Sequence, residues 1–223
     1  MIAAAASSLL ADLLGSSTGL VEVARTAVSV HYETGRADVP VLCVCVPTAV
    51  RLPNAVVTSV LPRSGLRVVP GGLSGDADSW RVGRWWQPPR PMNRTPAQRA
   101  SLDLDPSALV GRGPGLTPSG DDEVAGALVA AHATGDPRLD AWCSATRDAL
   151  LSRRTTAVSW GLLHHALEGW ATPELAAHVD EACTGHRGPA FERLLTVGHT
   201  SGRALAEGVA HVVATRPSMR EEA

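Results

Sequence analysis

Hydrophobic positions along this chain follow two different periods, and the change between them falls near residue 90. From Leu20 to Tyr32 apolar and polar residues alternate, with Val28, Val30 and Tyr32 on one face, which predicts a half-buried strand. Val39 to Val46 is a continuous β-branched and apolar run, the pattern of a strand buried on both faces. Ala55 to Leu61, Leu66 to Val69 and Trp80 to Trp86 predict further strands. Pro62-Arg63-Ser64-Gly65 and Pro70-Gly71-Gly72 punctuate them as turns. In an extended chain Trp85 and Trp86 point to opposite faces, so one packs inward and one outward. Ahead of these strands, Ala3 to Leu14 has the composition of a helix, with Leu9, Leu10, Leu13 and Leu14 on one side and Gly15-Ser16-Ser17 as its end.

Gln87-Pro88-Pro89-Arg90-Pro91 reads as a stiff connector. After it the spacing is helical. Pro96 to Leu102 predicts a short helix, and Asp105-Pro106-Ser107 an N-cap followed by proline at the first helical position. A longer helix follows from about Ser119 to Ala133, with Val124, Leu128 and Ala131 on its apolar face and Gly126-Ala127 permitting close packing. Asp136-Pro137 starts another, with Leu139, Trp142 and Leu150 inward. Thr155 to Trp170 carries Leu163, Leu167 and Trp170 at helical spacing, Thr172-Pro173-Glu174 opens one more, and Leu205, Val209 and Val212 mark the last. The fold class is therefore α+β. A β-rich lobe with one leading helix spans residues 1–92, a helical lobe sharing its core spans 93–215, and 216–223 is a polar tail.

Composition narrows the chemistry. Of 223 residues, 44% are hydrophobic and 19% charged, the balance of a globular protein. A formal charge of −2 gives no electrostatic reason to expect nucleic acid or an anionic membrane as partner. All 20 basic side chains other than histidine are arginines, which excludes a Schiff-base lysine and a Walker-type lysine. Cys43, Cys45, Cys143 and Cys183 form no C-x-x-C pair, and the apolar N-terminal stretch has no cation before Arg25. Both features predict a reduced, cytoplasmic protein without a signal peptide or membrane span.

The candidate chemistry centres on Gly111-Arg112-Gly113-Pro114-Gly115-Leu116-Thr117-Pro118-Ser119-Gly120-Asp121-Asp122. With Ser119 as N-cap, the acids fall in the first turn and complement the helix dipole, each by about 0.3–1 kcal/mol. One cap needs at most one glycine, so the others point to close approach of a ligand to the backbone. Two carboxylates repel a bare phosphate there. The ligand therefore brings a shared Mg²⁺, with Asp121 and Asp122 as metal ligands, or offers a donor-rich group such as an amide. Gly198-His199-Thr200-Ser201-Gly202 also precedes an apolar helix, and its His199 is a candidate acid or base. Arg153-Arg154-Thr155-Thr156, with Ser159 a turn later, suits recognition of an anion. Each segment also reads as an ordinary helix start. Together they predict a pocket with three walls. Asp121, Asp122 and His199 are its candidate catalytic groups. Gly113, Gly115, Thr117, Ser119, Gly120, Arg153, Arg154, Thr155, Thr156, Ser159, Thr200, Ser201 and Gly202 are its binding groups. Glu207 and His211, four apart, lack a third ligand for a metal.

Gly113 to Asp122 is similar to the signature of a bacterial family long left as a domain of unknown function and now labelled the AllH-type subunit of oxamate carbamoyltransferase. Thr155-Thr156 with Ser159 and Leu167-Glu168-Gly169 resembles its second block, and Leu194 to Gly202 its third. Glu123 departs from the pattern, where an apolar or aromatic residue is expected. The resemblance implies anaerobic allantoin breakdown, in which several subunits together exchange oxalurate and phosphate with oxamate and carbamoyl phosphate. Three functions remain open: a carbamoyltransferase component, a non-catalytic partner or regulatory subunit, and a Mg²⁺-dependent phosphotransferase.

Overall fold

In the computed structural model, which describes residues 1–152 and 154–217, the first 86 residues build one nine-stranded sheet. Its strands are β1 (Ile2–Ser7), β2 (Thr18–Gly19), β3 (Val21–Arg25), β4 (Ser29–Glu33), β5 (Val41–Cys45), β6 (Ala55–Thr58), β7 (Arg67–Val69), β8 (Gly72–Ser74) and β9 (Ser79–Trp86). Their order across the sheet is β2-β7-β8-β9-β1-β6-β5-β4-β3. β2 and β3 are separated in sequence by Leu20 alone, yet they occupy opposite edges. The sheet must therefore curl until its edges nearly meet, which makes a near-barrel.

Alternation along each strand decides what faces inward. Val30 and Tyr32 of β4, Leu42 and Val44 of β5 and Val56 of β6 join Leu10, Leu13 and Leu14 in the barrel core. Cys43 and Cys45 point the other way, with Ala55 and Val57. Trp86 packs on this outer cluster beneath the Arg51 guanidinium at 5.4 Å, while Trp85 is exposed, as the adjacent pair predicts.

In this half two segments differ from the sequence expectation. Ile2–Ser7 is a central strand, parallel to β9 and antiparallel to β6, and only Ser8–Leu10 (3₁₀) and α1 (Ala11–Leu14) are helical. Helix propensity amounts to a few tenths of a kcal/mol per residue, and two hydrogen-bonded ladders with burial of Ala4 and Ala6 outweigh it. The run from Leu20 to Tyr32 is a hairpin, and Thr26 turns it through its N–H to the Ser29 carbonyl. Val28 thus lies in the turn, off the strand face.

The second half is helical: α2 (Pro106–Leu109), α3 (Ser119–Thr134), α4 (Leu139–Leu151), α5 (Ala157–Ala166), α6 (Pro173–Ala182), α7 (Pro189–Leu195) and α8 (Ser201–Ala210). Asp105, Thr156 and Thr172 cap α2, α5 and α6 through their side chains. Pro96–Leu102 is extended instead of helical. Its Ala97 and Ala100 N–H groups bond the Cys183 and Val212 carbonyls, and Arg99 bridges to Val213. From Gly120 to Ala131 every residue of α3 except Glu123 is buried, so this is a central helix and not an amphipathic one. Each half keeps its own core, because the sheet itself closes around the first. α5 rests on the outer face of β5, where a Cβ on Gly161 would lie 3.1 Å from Val41. Of the expected tail, Arg216–Pro217 forms β11 beside β10 (His186–Arg187), and residues 218–223 lie outside the described part. Among the described residues no helix is long and apolar enough to cross a membrane.

Candidate functional site

Asp121 and Asp122 are adjacent and both buried, yet their surroundings differ. Asp121 accepts the Gly111 N–H at 2.8 Å on one oxygen and the Thr155 hydroxyl on the other. It thereby ties the glycine loop to the start of α5. Gly111 sits at φ +81°, and a Cβ there would fall 1.9 Å from the Arg154 carbonyl oxygen, so glycine is demanded by this chain crossing. Thr156 continues the tie: its hydroxyl donates to the Leu116 carbonyl at 2.6 Å and accepts the Ser159 N–H. Close chain contact also accounts for Gly113, Gly120 and Gly202, whose added Cβ atoms would meet Ser119, Leu109 and Leu194 within 2.9 Å; Gly115 alone of these has open space. At the head of α3, Pro118 is the N-cap and Ser119 the first helical residue, which corrects the expected Ser119 cap.

Asp122 points elsewhere. It lines a cavity of about 320 Å³ between the lobes. Leu116 and Thr117 come from the loop, Val197, Gly198 and Ser201 from the head of α8, and Val158 and Leu162 from α5. Thr117 Oγ1 and Ser201 Oγ lie 3.1 Å apart, so the first and third hydroxyl-glycine segments do converge. The second contributes α5 rather than its hydroxyls. Thr155 and Thr156 stitch the wall from behind, and Ser159 is fully buried with its Oγ unpartnered. His199, Thr200 and Arg154 are exposed and are not among the cavity-lining residues. Arg153 lies outside the described residues.

The fourth wall is the outer face of the barrel, and sequence reasoning missed it. Ser29, His31 and Cys43 come from β4 and β5, with Thr26 and Val28 from the hairpin turn. The signal was present, because alternation that turns Val30 and Tyr32 inward turns Ser29 and His31 outward. What covers that face is a tertiary fact.

Electrostatics set the two lobes' polar groups apart. Burial pushes the Asp122 carboxyl up to about 7, the Ser201 hydroxyl opposes this, and the Asp121 charge adds to it. Burial pushes His31 down to about 4, so its ring is neutral. Among the described residues no arginine lines the cavity, and no three His, Cys, Asp or Glu side chains gather as a metal group. His211 pairs with Glu123 at 2.9 Å, which gives the departure at Glu123 a local partner.

Asp122 makes a pH signature. Its folded-state value lies above the unfolded 3.8, so its contribution to stability is fully present below pH 3.8 and is lost as pH rises to about 7. Asp122→Asn removes this loss. The variant is expected to gain stability relative to wild type between about pH 4 and 7.5, by on the order of a few kcal/mol, in urea unfolding at stepped pH. A constant difference across that range would refute the assignment.

The cavity and the loop can now be set beside known proteins. No solved structure matches the chain. A family model described as oxamate carbamoyltransferase subunit AllH matches residues 109–213, which include all three hydroxyl-glycine segments and leave His31 outside. From the end of α2 to just beyond α8, residues 109–213 are thus similar to the AllH family.

Proposed function

We propose that the chain is a subunit of a carbamoyltransferase-type enzyme of purine nitrogen catabolism, and that its inter-lobe cavity takes a small amide- or carbamoyl-bearing ligand such as oxamate, oxalurate or carbamoyl phosphate. Asp122 carries the reading. It is 1% exposed, lines the cavity, and its Oδ2 has no partner. A buried polar atom left unpaired costs roughly 1–3 kcal/mol, and a ligand N–H removes that cost. The apolar lining, without an arginine among the described residues, favours an uncharged group at this end. The Asp pair is less suited to a divalent cation, since both Asp121 oxygens already accept protein donors. Carbamoyl transfer asks chiefly for positioning and charge stabilisation, which subunits can divide among themselves. The family's name as a subunit supports other protein chains as partners. Four free, buried cysteines suit a reducing compartment such as the cytoplasm.

Calorimetric titration with oxamate, oxalurate and carbamoyl phosphate, with and without Mg²⁺, tests this on the chain alone and with co-purifying subunits. Saturable binding is expected from wild type, weakened at least about tenfold in Asp122→Ala. Absence of binding by wild type in both forms would overturn the reading. Binding without turnover by the chain alone favours a ligand-holding subunit whose chemistry its partners complete.

A further inference from the structure

Two buried polar atoms of the cavity-lining residues lack a partner, and they come from different lobes: Asp122 Oδ2 and His31 Nδ1. His31 is 5% exposed and lies outside the matched family region. Counting lone pairs fixes the hydrogen-bond directions at Thr26, beside it. Thr26 Oγ1 accepts the Val28 N–H at 3.1 Å and the Ser29 N–H at 2.9 Å, which fills its acceptor capacity. Its own proton goes to Ser29 Oγ at 3.0 Å or to the Ser29 carbonyl at 3.3 Å; in either case Thr26 cannot accept from Ser29. The Ser29 hydroxyl proton is then free to go to His31 Nε2, 3.1 Å away, and we take this arrangement. A neutral imidazole whose Nε2 accepts carries its proton on Nδ1. In this tautomer His31 offers one N–H donor that no described protein atom receives.

We propose that His31 Nδ1–H and Asp122 Oδ2 bracket a single primary amide or carbamoyl group, with His31 donating to its carbonyl oxygen and Asp122 accepting from its –NH₂. This rests on the cavity reading above and names the β-rich lobe as the half that selects the ligand. A carboxylate of the same shape offers Asp122 an acceptor where the amide offers a donor. A site with a fixed donor and a fixed acceptor discriminates such isosteres more strongly than an apolar pocket does.

Oxamate and oxalate are the matched probes, titrated near pH 8 into the protein in the form that binds oxamate. Wild type is expected to hold oxamate at least about tenfold more tightly than oxalate. His31→Phe removes the donor and is expected to lose about tenfold or more in oxamate affinity, whereas His31→Asn, whose amide N–H replaces Nδ1–H, keeps most of it. Equal oxamate binding by wild type and His31→Phe would overturn the inference while leaving the cavity reading intact. No binding of oxamate, oxalurate or carbamoyl phosphate by wild type would overturn both. Long-range ¹⁵N–¹H spectra of histidine-labelled wild type give a check that needs no variant: a proton on Nε2 of His31 would refute the tautomer, and with it the bracket.

Discussion

Asp121→Ala is expected to lower the unfolding free energy by about 3–5 kcal/mol, the larger of the two effects at the acid pair. The substitution leaves the Gly111 N–H and the Thr155 hydroxyl without their shared acceptor. Each unsatisfied donor costs roughly 1–3 kcal/mol, and the tie between the glycine loop and α5 goes with them. A domain of ordinary stability has about 5–15 kcal/mol in all, so the variant sits near the edge of folding. Asp121→Asn keeps one acceptor and sets an amide against the other donor, so its cost is intermediate. Asp122→Ala is the contrasting case. It removes a carboxyl whose Oδ2 has no partner, so its expected cost is small at neutral pH while its effect on ligand is large. Urea unfolding of all three variants checks the ranking through the midpoints. Equal losses at Asp121 and Asp122 would show that the adjacent acids are not divided between structure and ligand.

The second large effect is at the crossing of α3 and α8. Gly126 and Gly208 face the partner helix reciprocally: a Cβ on Gly126 would lie 2.1 Å from the Leu205 carbonyl oxygen, and one on Gly208 2.0 Å from that of Glu123. Both obstacles are backbone, so no rotamer change relieves them and the helices must move apart. Gly→Ala at either position is expected to destabilise by about 3 kcal/mol or more, beyond the ~1 kcal/mol that alanine gains in a helix. Because α3 carries Asp122 and α8 carries Ser201, the same change opens the cavity. Thermal melts of Gly126→Ala and Gly208→Ala check this against Gly83→Ala, where an added Cβ meets no atom within 4 Å. Melting temperatures within about a degree of wild type for the first two variants would contradict the packing described.

Local signals in the chain specified local structure well. Asp105, Thr156 and Thr172 cap helices because a short polar side chain before a helical run needs only its own backbone neighbours. The β5 run is buried on both faces and the Trp85-Trp86 pair divides, because strand periodicity depends on no distant residue. The Gly126-Ala127 pair marked close packing, and the glycine-rich signature marked the likeness to the AllH family over 109–213.

Other features depended on partners far away in sequence. Ile2–Ser7 became a strand because β6 and β9 flank it, and Pro96–Leu102 stayed extended because Cys183, Val212 and Val213 receive it. The glycines of the candidate segments looked suited to a ligand, but Arg154, Leu109 and Leu194 occupy the space that Gly111, Gly120 and Gly202 leave. The adjacent acids could not be told apart by sequence, since only tertiary contacts engage Asp121 and leave one oxygen of Asp122 unpaired. The cavity itself belongs to neither lobe. Residue types and spacing specified which side of each element is polar, and only the docking of the barrel's outer face against α3, α5 and α8 decided that His31 and Asp122 line one space.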